Sequence, residues 1–175
     1  MVTSLDPRED IFKEWGDLLL KMNEGEEKIK NFLNKRNVLC EFFKFSESCH
    51  SVAQAADALN TNPNEIIKNI CLIDEESNPI IAIVIGEDRV STKRVAKALN
   101  IQRPKVADSS EIIKKTGFHC GATPSFGFNA KFLIDTNIIE KDFVYTSGGS
   151  QNSLLKISTE DLQKLSNGIV TRIRK

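Results

Sequence analysis

The chain has 175 residues, 40% of them hydrophobic, which is enough for one buried core and short for two. Its 24 basic and 24 acidic residues cancel, and this excludes the strong overall attraction to phosphate of a protein built to coat nucleic acid; any RNA contact must be local. The four cysteines form no C-x-x-C pair, Met1–Arg8 is polar rather than a signal segment, and the longest apolar run, Ile80–Ile85, is far below the roughly 20 residues of a spanning helix. Reduced thiols, solubility, a cytoplasmic location and no membrane contact are the expectations.

Residues Asp10–Met22 place Ile11, Trp15, Leu18 and Leu19 near helical spacing, and Ile29, Phe32 and Leu33 continue the pattern over Glu26–Leu33. Two short amphipathic helices are predicted, with Asn23-Glu24-Gly25 as their connector. Val38–Phe45 is short, aromatic and strand-like. Ser51 caps a helix with Val52, Ala55, Ala56 and Leu59 on one face, ended by Asn60–Pro63. Ile66–Ile73 and Ile80–Ile85, separated by turn formers over Asp74–Pro79, predict a hairpin at the centre of a sheet. Ser91 opens a helix with Val95, Ala98 and Leu99 inward, Val106 sits in a short strand, and Ser109 starts a helix to Lys115. Lys131–Asp135, Phe143–Ser147 and Ser153–Ile157 are predicted strands, Ser158–Asp161 carries the capping chemistry of a further helix, and Ile169–Ile173 is a predicted final strand. The fold class is α/β (α+β): a mixed β-sheet flanked by helices in a single domain, 25–175, with an N-terminal helical extension, 1–24.

Three features ask for a chemical explanation. In Ile66–Leu72, period-two geometry puts Lys68 on the face of Ile66, Ile70 and Leu72. A lysine there either snorkels to water or opens into a cleft where partial burial strengthens its hold on a carbonyl, carboxylate or phosphate. The segment Thr116–Gly127 has three glycines and a proline directly after a helix; it is either a surface loop or one whose N–H groups approach an oxyanion or phosphate closely. Ser147-Gly148-Gly149 reads as a hairpin turn or as a second small-residue rim for a flat ligand, with the Ser147 hydroxyl as donor or acceptor. Cys49-His50 and His119-Cys120 invite a thiol or zinc reading, but adjacent residues point apart and neither pair has the spacing of a metal knuckle, so buried inert cysteine is the default and no metal or cofactor is expected.

The order of these motifs resembles the YbaK / prolyl-tRNA synthetase-associated editing family. His50-Ser51-Val52 leads into the Ala55-Ala56 helix, and Glu65-Ile66-Ile67-Lys68 opens the next strand. Gly86–Val90, the Lys93–Leu99 helix, Thr116-Gly117-Phe118 with Gly121–Pro124, and Ser147-Gly148-Gly149 follow, over roughly residues 25–175. The resemblance implies an aminoacyl-tRNA deacylase with aminoacyl-tRNA as substrate, typically tRNA for proline, and prolyl-tRNA synthetase as a partner. It places Lys68 on the functional lysine, Gly121 on the first glycine of a G-x-x-x-P loop and Ser147 on the serine of a Ser-Ala-Gly motif. His50, Ala122, Thr123, Pro124, Gly148 and Gly149 become substrate-binding candidates. The chain departs from the family in having Pro124 one position early with Ser125 after it, Ala122 for a frequent glycine, and Ser150-Gln151-Asn152 for a commonly basic stretch. Lys68, the Gly121–Pro124 loop and Ser147–Gly149 are expected to meet in one pocket, because one ester must face a cation, oxyanion-binding N–H groups and a close-approach rim together.

Overall fold

A computed structural model of the chain describes residues 24–49 and 51–175. The helix predicted over Asp10–Met22 and the candidate His50 lie outside the described residues. Helix α1 covers 24–34. It is followed by β1 (Glu41–Lys44), α2 (Val52–Leu59), a 3-10 turn (Pro63–Glu65), β2 (Ile67–Ile73), β3 (Pro79–Ile85), α3 (Thr92–Leu99) and β4 (Lys105–Val106). The second half runs α4 (Ser109–Thr116), β5 (Lys131–Ile134), α5 (Thr136–Ile139), β6 (Phe143–Ser147), β7 (Ser153–Ser158), α6 (Thr159–Ser166) and β8 (Ile169–Val170).

Local chemistry fixes the helix ends. Ser51, Ser91 and Ser158 accept hydrogen bonds from the N–H groups of Gln54, Arg94 and Asp161, and Gln54 returns the bond to Ser51 in a capping box. Asn60, Asn100 and Asn167 end their helices in the left-handed conformation, at φ of 50°, 53° and 50°. Three boundaries differ from the sequence reading. Glu24 and Gly25 are helical rather than connector. The final strand is two residues long, and α5 is an unpredicted helix capped by Asp135, too short for any periodicity to reveal.

The strands form a five-stranded mixed sheet, order β4-β2-β3-β5-β8, and a three-stranded antiparallel sheet, order β1-β7-β6. The β2–β3 hairpin pairs Ile67 with Ile85 through Ile73 with Pro79, and β5 joins β3 in parallel. Alternation along these strands divides the core. Ile67, Cys71, Ile73, Ile81, Ile83 and Ile85 face one way, where they meet Ile29 and Leu33 of α1, Ile112 of α4, and Val144, Leu155 and Ile157 of the smaller sheet. Leu72, Ile80, Ala82 and Val84 face the other way, onto Val95 of α3, Leu133 and Ile173. Ala55 and Ala56 of α2 pack separately on Ile66, Tyr145 and Leu154. Among the described residues, no helix is long and apolar enough to cross a membrane.

Candidate functional site

The site begins with an interrupted strand edge. In an antiparallel pair, alternate residues exchange both main-chain hydrogen bonds while the residues between them turn those groups outward. Gly86 N–H donates to the Ile66 carbonyl at 2.8 Å, and Ala107 N–H donates to the Cys71 carbonyl at 3.0 Å. Ile66, Lys68, Ile70 and Leu72 therefore direct their main chain to β3, and Ile67, Asn69 and Cys71 direct theirs outward. On that outer side, among the described residues, β4 pairs only with Leu72 and Ile73, and the smaller sheet makes a single main-chain bridge, Ile66–Tyr145. The edge between these two contacts borders a cleft of about 310 Å³.

The cleft is walled by β2 from Ile66 to Cys71, by Ser51, Val52 and Ala55 at the start of α2, by Cys120, Gly121 and Thr123, and by Ser147, Leu154, Val106, Ala107 and Cys49. Among the described residues the lining holds one charged side chain, Lys68, and no carboxylate. Lys68 is half-buried and has no ion-pair partner among the described residues. Its ammonium is thus available to a ligand's anionic or carbonyl oxygen.

Opposite it, the loop after α4 is fastened from inside. The Ser147 hydroxyl donates to the Ala122 carbonyl at 2.7 Å and accepts from Gly149 N–H at 3.2 Å. Thr123 Oγ1 donates to the His119 carbonyl at 3.0 Å, and Ala122 N–H donates to the same carbonyl at 3.0 Å. The Asn69 side chain donates to the Thr123 carbonyl at 2.8 Å and to Thr146 Oγ1 at 3.2 Å, and Ser125, fully buried, donates to Asn69 Oδ1 at 2.8 Å. A buried polar network of this kind is strong because each member is satisfied. The N–H groups of Gly121 and Thr123, in contrast, have no acceptor among the described residues. Gly121 has φ +84°, and a Cβ built there meets nothing within 4 Å. The glycine thus keeps a left-handed turn unstrained and leaves open space beside the main chain.

Burial pushes the Cys71 thiol up to about 11, with the hydrogen bond to Thr123 opposing and the neighbouring Cys120 thiol adding to the rise. At neutral pH its thiolate fraction is negligible, so Cys71 is a wall of the cleft and not a nucleophile.

Of the residues singled out in the sequence, Lys68, Gly121, Thr123 and Ser147 line this cleft. Ala122 and Pro124 are buried beneath it and belong to the loop's inner side. Gly148 and Gly149 are buried, and their close approach is made by the chain itself. A Cβ at Gly148 would stand 2.7 Å from Ser153 Oγ and 2.8 Å from the Phe42 ring, and one at Gly149 would stand 2.5 Å from the Gly25 carbonyl of α1. Ser147 also differs from its expected availability, since its hydroxyl proton is committed to Ala122. The sequence reading passed over Asn69, Thr146, Ser125 and Leu154. A signal existed for Asn69, a polar residue on the opposite parity to Lys68 within the same apolar strand.

Fold and site define a small α+β domain with a lysine-bearing cleft at an open sheet edge. The aminoacyl-tRNA editing domain model matches residues 46–165, and the chain belongs to that family. It is 22% identical over 130 residues to an Enterococcus faecalis protein, EbsC, provisionally named a Cys-tRNA(Pro)/Cys-tRNA(Cys) deacylase, with 72% of this chain and 78% of that one aligned. It is 27% identical over 101 residues to the proline–tRNA ligase of Limosilactobacillus reuteri, where the match takes 54% of this chain and 18% of the ligase. A crystal structure described provisionally as a trans-editing enzyme for prolyl-tRNA synthetase superposes with a TM-score of 0.80 at 18% identity, over 98% of this chain and 99% of the other. That last likeness shows the fold.

Proposed function

We propose that the chain is an aminoacyl-tRNA deacylase that hydrolyses mischarged tRNA in trans, with tRNA for proline carrying a noncognate amino acid as its substrate. The observation that carries this reading is the meeting of Lys68, the two unpartnered N–H groups of Gly121 and Thr123, and the Ser147-fastened loop in one cleft. Membership of the editing family supports it, as does the name of the Enterococcus faecalis relative.

The chemistry asked of the site is modest. An oxygen of water, or the neighbouring ribose hydroxyl, adds to the ester carbonyl carbon, and the carbonyl oxygen becomes an oxyanion. Donors already fixed toward that charge stabilise it without reorganising, and the Gly121 and Thr123 N–H groups take this role. The tetrahedral centre then collapses, the ribose oxygen leaves with a proton, and the amino acid is freed once water has taken up the acyl group. Lys68 anchors the terminal nucleotide or the ester region and attacks nothing. Ser147 is a positioning residue, because it reaches the reaction only by holding the Ala122 carbonyl. The near-zero net charge gives free tRNA weak binding, with prolyl-tRNA synthetase supplying affinity as the partner.

The test is deacylation of a panel of tRNAs for proline charged with proline, alanine, cysteine, serine and threonine. Hydrolysis of at least one noncognate ester well above its spontaneous rate, with prolyl-tRNA spared, is the expected result. If no ester in the panel is hydrolysed while mischarged tRNA still binds, the domain is a noncatalytic binding module.

A further inference from the structure

The main chain of Asn69 is the unexplained part of the cleft. Its parity in β2 turns both its N–H and its C=O outward, yet among the described residues no strand pairs with it there: β4 stops at the residue paired with Leu72, and the smaller sheet makes its main-chain bridge only at Ile66. Among the described residues no strand pairs with Asn69 on this outer side, and its carbonyl receives the weak Cys71 thiol contact at 3.8 Å. Unpaired main-chain groups of a strand edge are a template for another peptide-like unit. They are held rigidly here, because β3 pairs along the whole of β2 and the Asn69 side chain is tied to Thr123 and Thr146.

An α-aminoacyl ester carries the matching groups on a single carbon. Its amino group donates and its ester carbonyl accepts, as the N–H and C=O of one residue do in a hydrogen-bonded antiparallel pair. The cleft needs such an acceptor, because among the described residues its lining contains no carboxylate to meet an ammonium and its one charged side chain, Lys68, repels it. Resting on the deacylase reading above, we infer that the free edge at Asn69 binds the α-aminoacyl group of the substrate as a one-residue strand, its carbonyl accepting from the substrate's amino group and its N–H donating to the ester carbonyl.

Selection for an α-amino acid is then a property of the backbone, and the amino acid's identity is read elsewhere in the cleft. Residues Gly121 and Thr123 lie across from this edge, with Thr123 joined to it by the 2.8 Å bond from the Asn69 side chain. The ester carbonyl is therefore held between two sets of N–H donors, one on β2 and one on the loop.

The experiment compares alanyl and propionyl esters of the same tRNA for proline, which differ only by the amino group, with each enzymatic rate divided by that ester's spontaneous hydrolysis. Loss of a charge-assisted hydrogen bond predicts that the propionyl ester's normalised kcat/KM falls roughly 10- to 150-fold. In parallel, the non-hydrolysable amide 3′-alanylamino-3′-deoxyadenosine is titrated into isotope-labelled protein, and the Asn69 amide resonance is expected to shift. Equal normalised rates for the two esters, or an Asn69 amide unmoved while that of Gly121 shifts, would overturn the inference and leave the deacylase reading standing. Hydrolysis of neither ester, with no amide shift in the cleft, would overturn both.

Discussion

Two glycine-containing segments look alike in the sequence and do opposite things in the fold. At Gly121 the left-handed turn faces open space, and the missing side chain keeps a path to the N–H groups of the loop. At Gly148 and Gly149 the missing side chains are filled by the chain's own Phe42 ring and Gly25 carbonyl. Helix α1 is fixed there by more than contact: the buried Glu26 carboxylate accepts from Ser150 Oγ at 2.6 Å and pairs with Lys44 at 3.3 Å. One glycine leaves open space beside the cleft, then, and the other pair serves helix docking. Ser147 links the two regions, with its hydroxyl bonded to Ala122 on one side and to Gly149 on the other.

This contrast can be broken by substitution. Gly149→Val should have the largest effect, a loss of roughly 2–5 kcal/mol of stability, because it combines a left-handed φ of +100° with a side chain driven into the Gly25 main chain. Urea unfolding measures it; a variant as stable as the parent would mean that α1 is not docked through this turn. Gly121→Val should behave differently, lowering deacylation about 100-fold while costing only about 1–2 kcal/mol for its strained φ. Single-turnover rates on the best noncognate ester separate it from Gly149→Val, and normal activity would remove the loop from the reaction. Ser147→Ala sharpens the comparison with a smaller cost of about 1–3 kcal/mol, since the Ala122 carbonyl loses its donor. Its deacylation should fall through kcat rather than KM, and should return in Ser147→Thr, which keeps the hydroxyl; a defect confined to KM would make Ser147 a substrate contact instead.

Much of the fold was legible because it rests on local chemistry and alternation. The serine caps, the asparagine helix ends and the two-faced β2–β3 hairpin follow from residue type and period, and the same period marked Lys68 as a charge on an apolar face. What was hidden depends on which elements stop where. No pattern in Lys105-Val106 says that β4 covers Leu72 and Ile73 and leaves Asn69 bare. The bonds from Asn69 to Thr123 and Thr146 span 54 and 77 residues, beyond any local signal. Gly25 and Gly149 were hard to read for the same reason: glycine composition announces a close approach without saying whether a ligand or a helix makes it.

The central claim is that the cleft joining Lys68 to the open Gly121 loop cleaves the aminoacyl ester. It is tested most directly by single-turnover deacylation of the best noncognate ester with Lys68→Ala, alongside urea unfolding of the same protein. The account predicts a rate lowered about 100- to 1000-fold with stability within about 0.5 kcal/mol of the parent, since a half-buried lysine without an ion-pair partner contributes little to the core. An unchanged rate in the folded variant would contradict it.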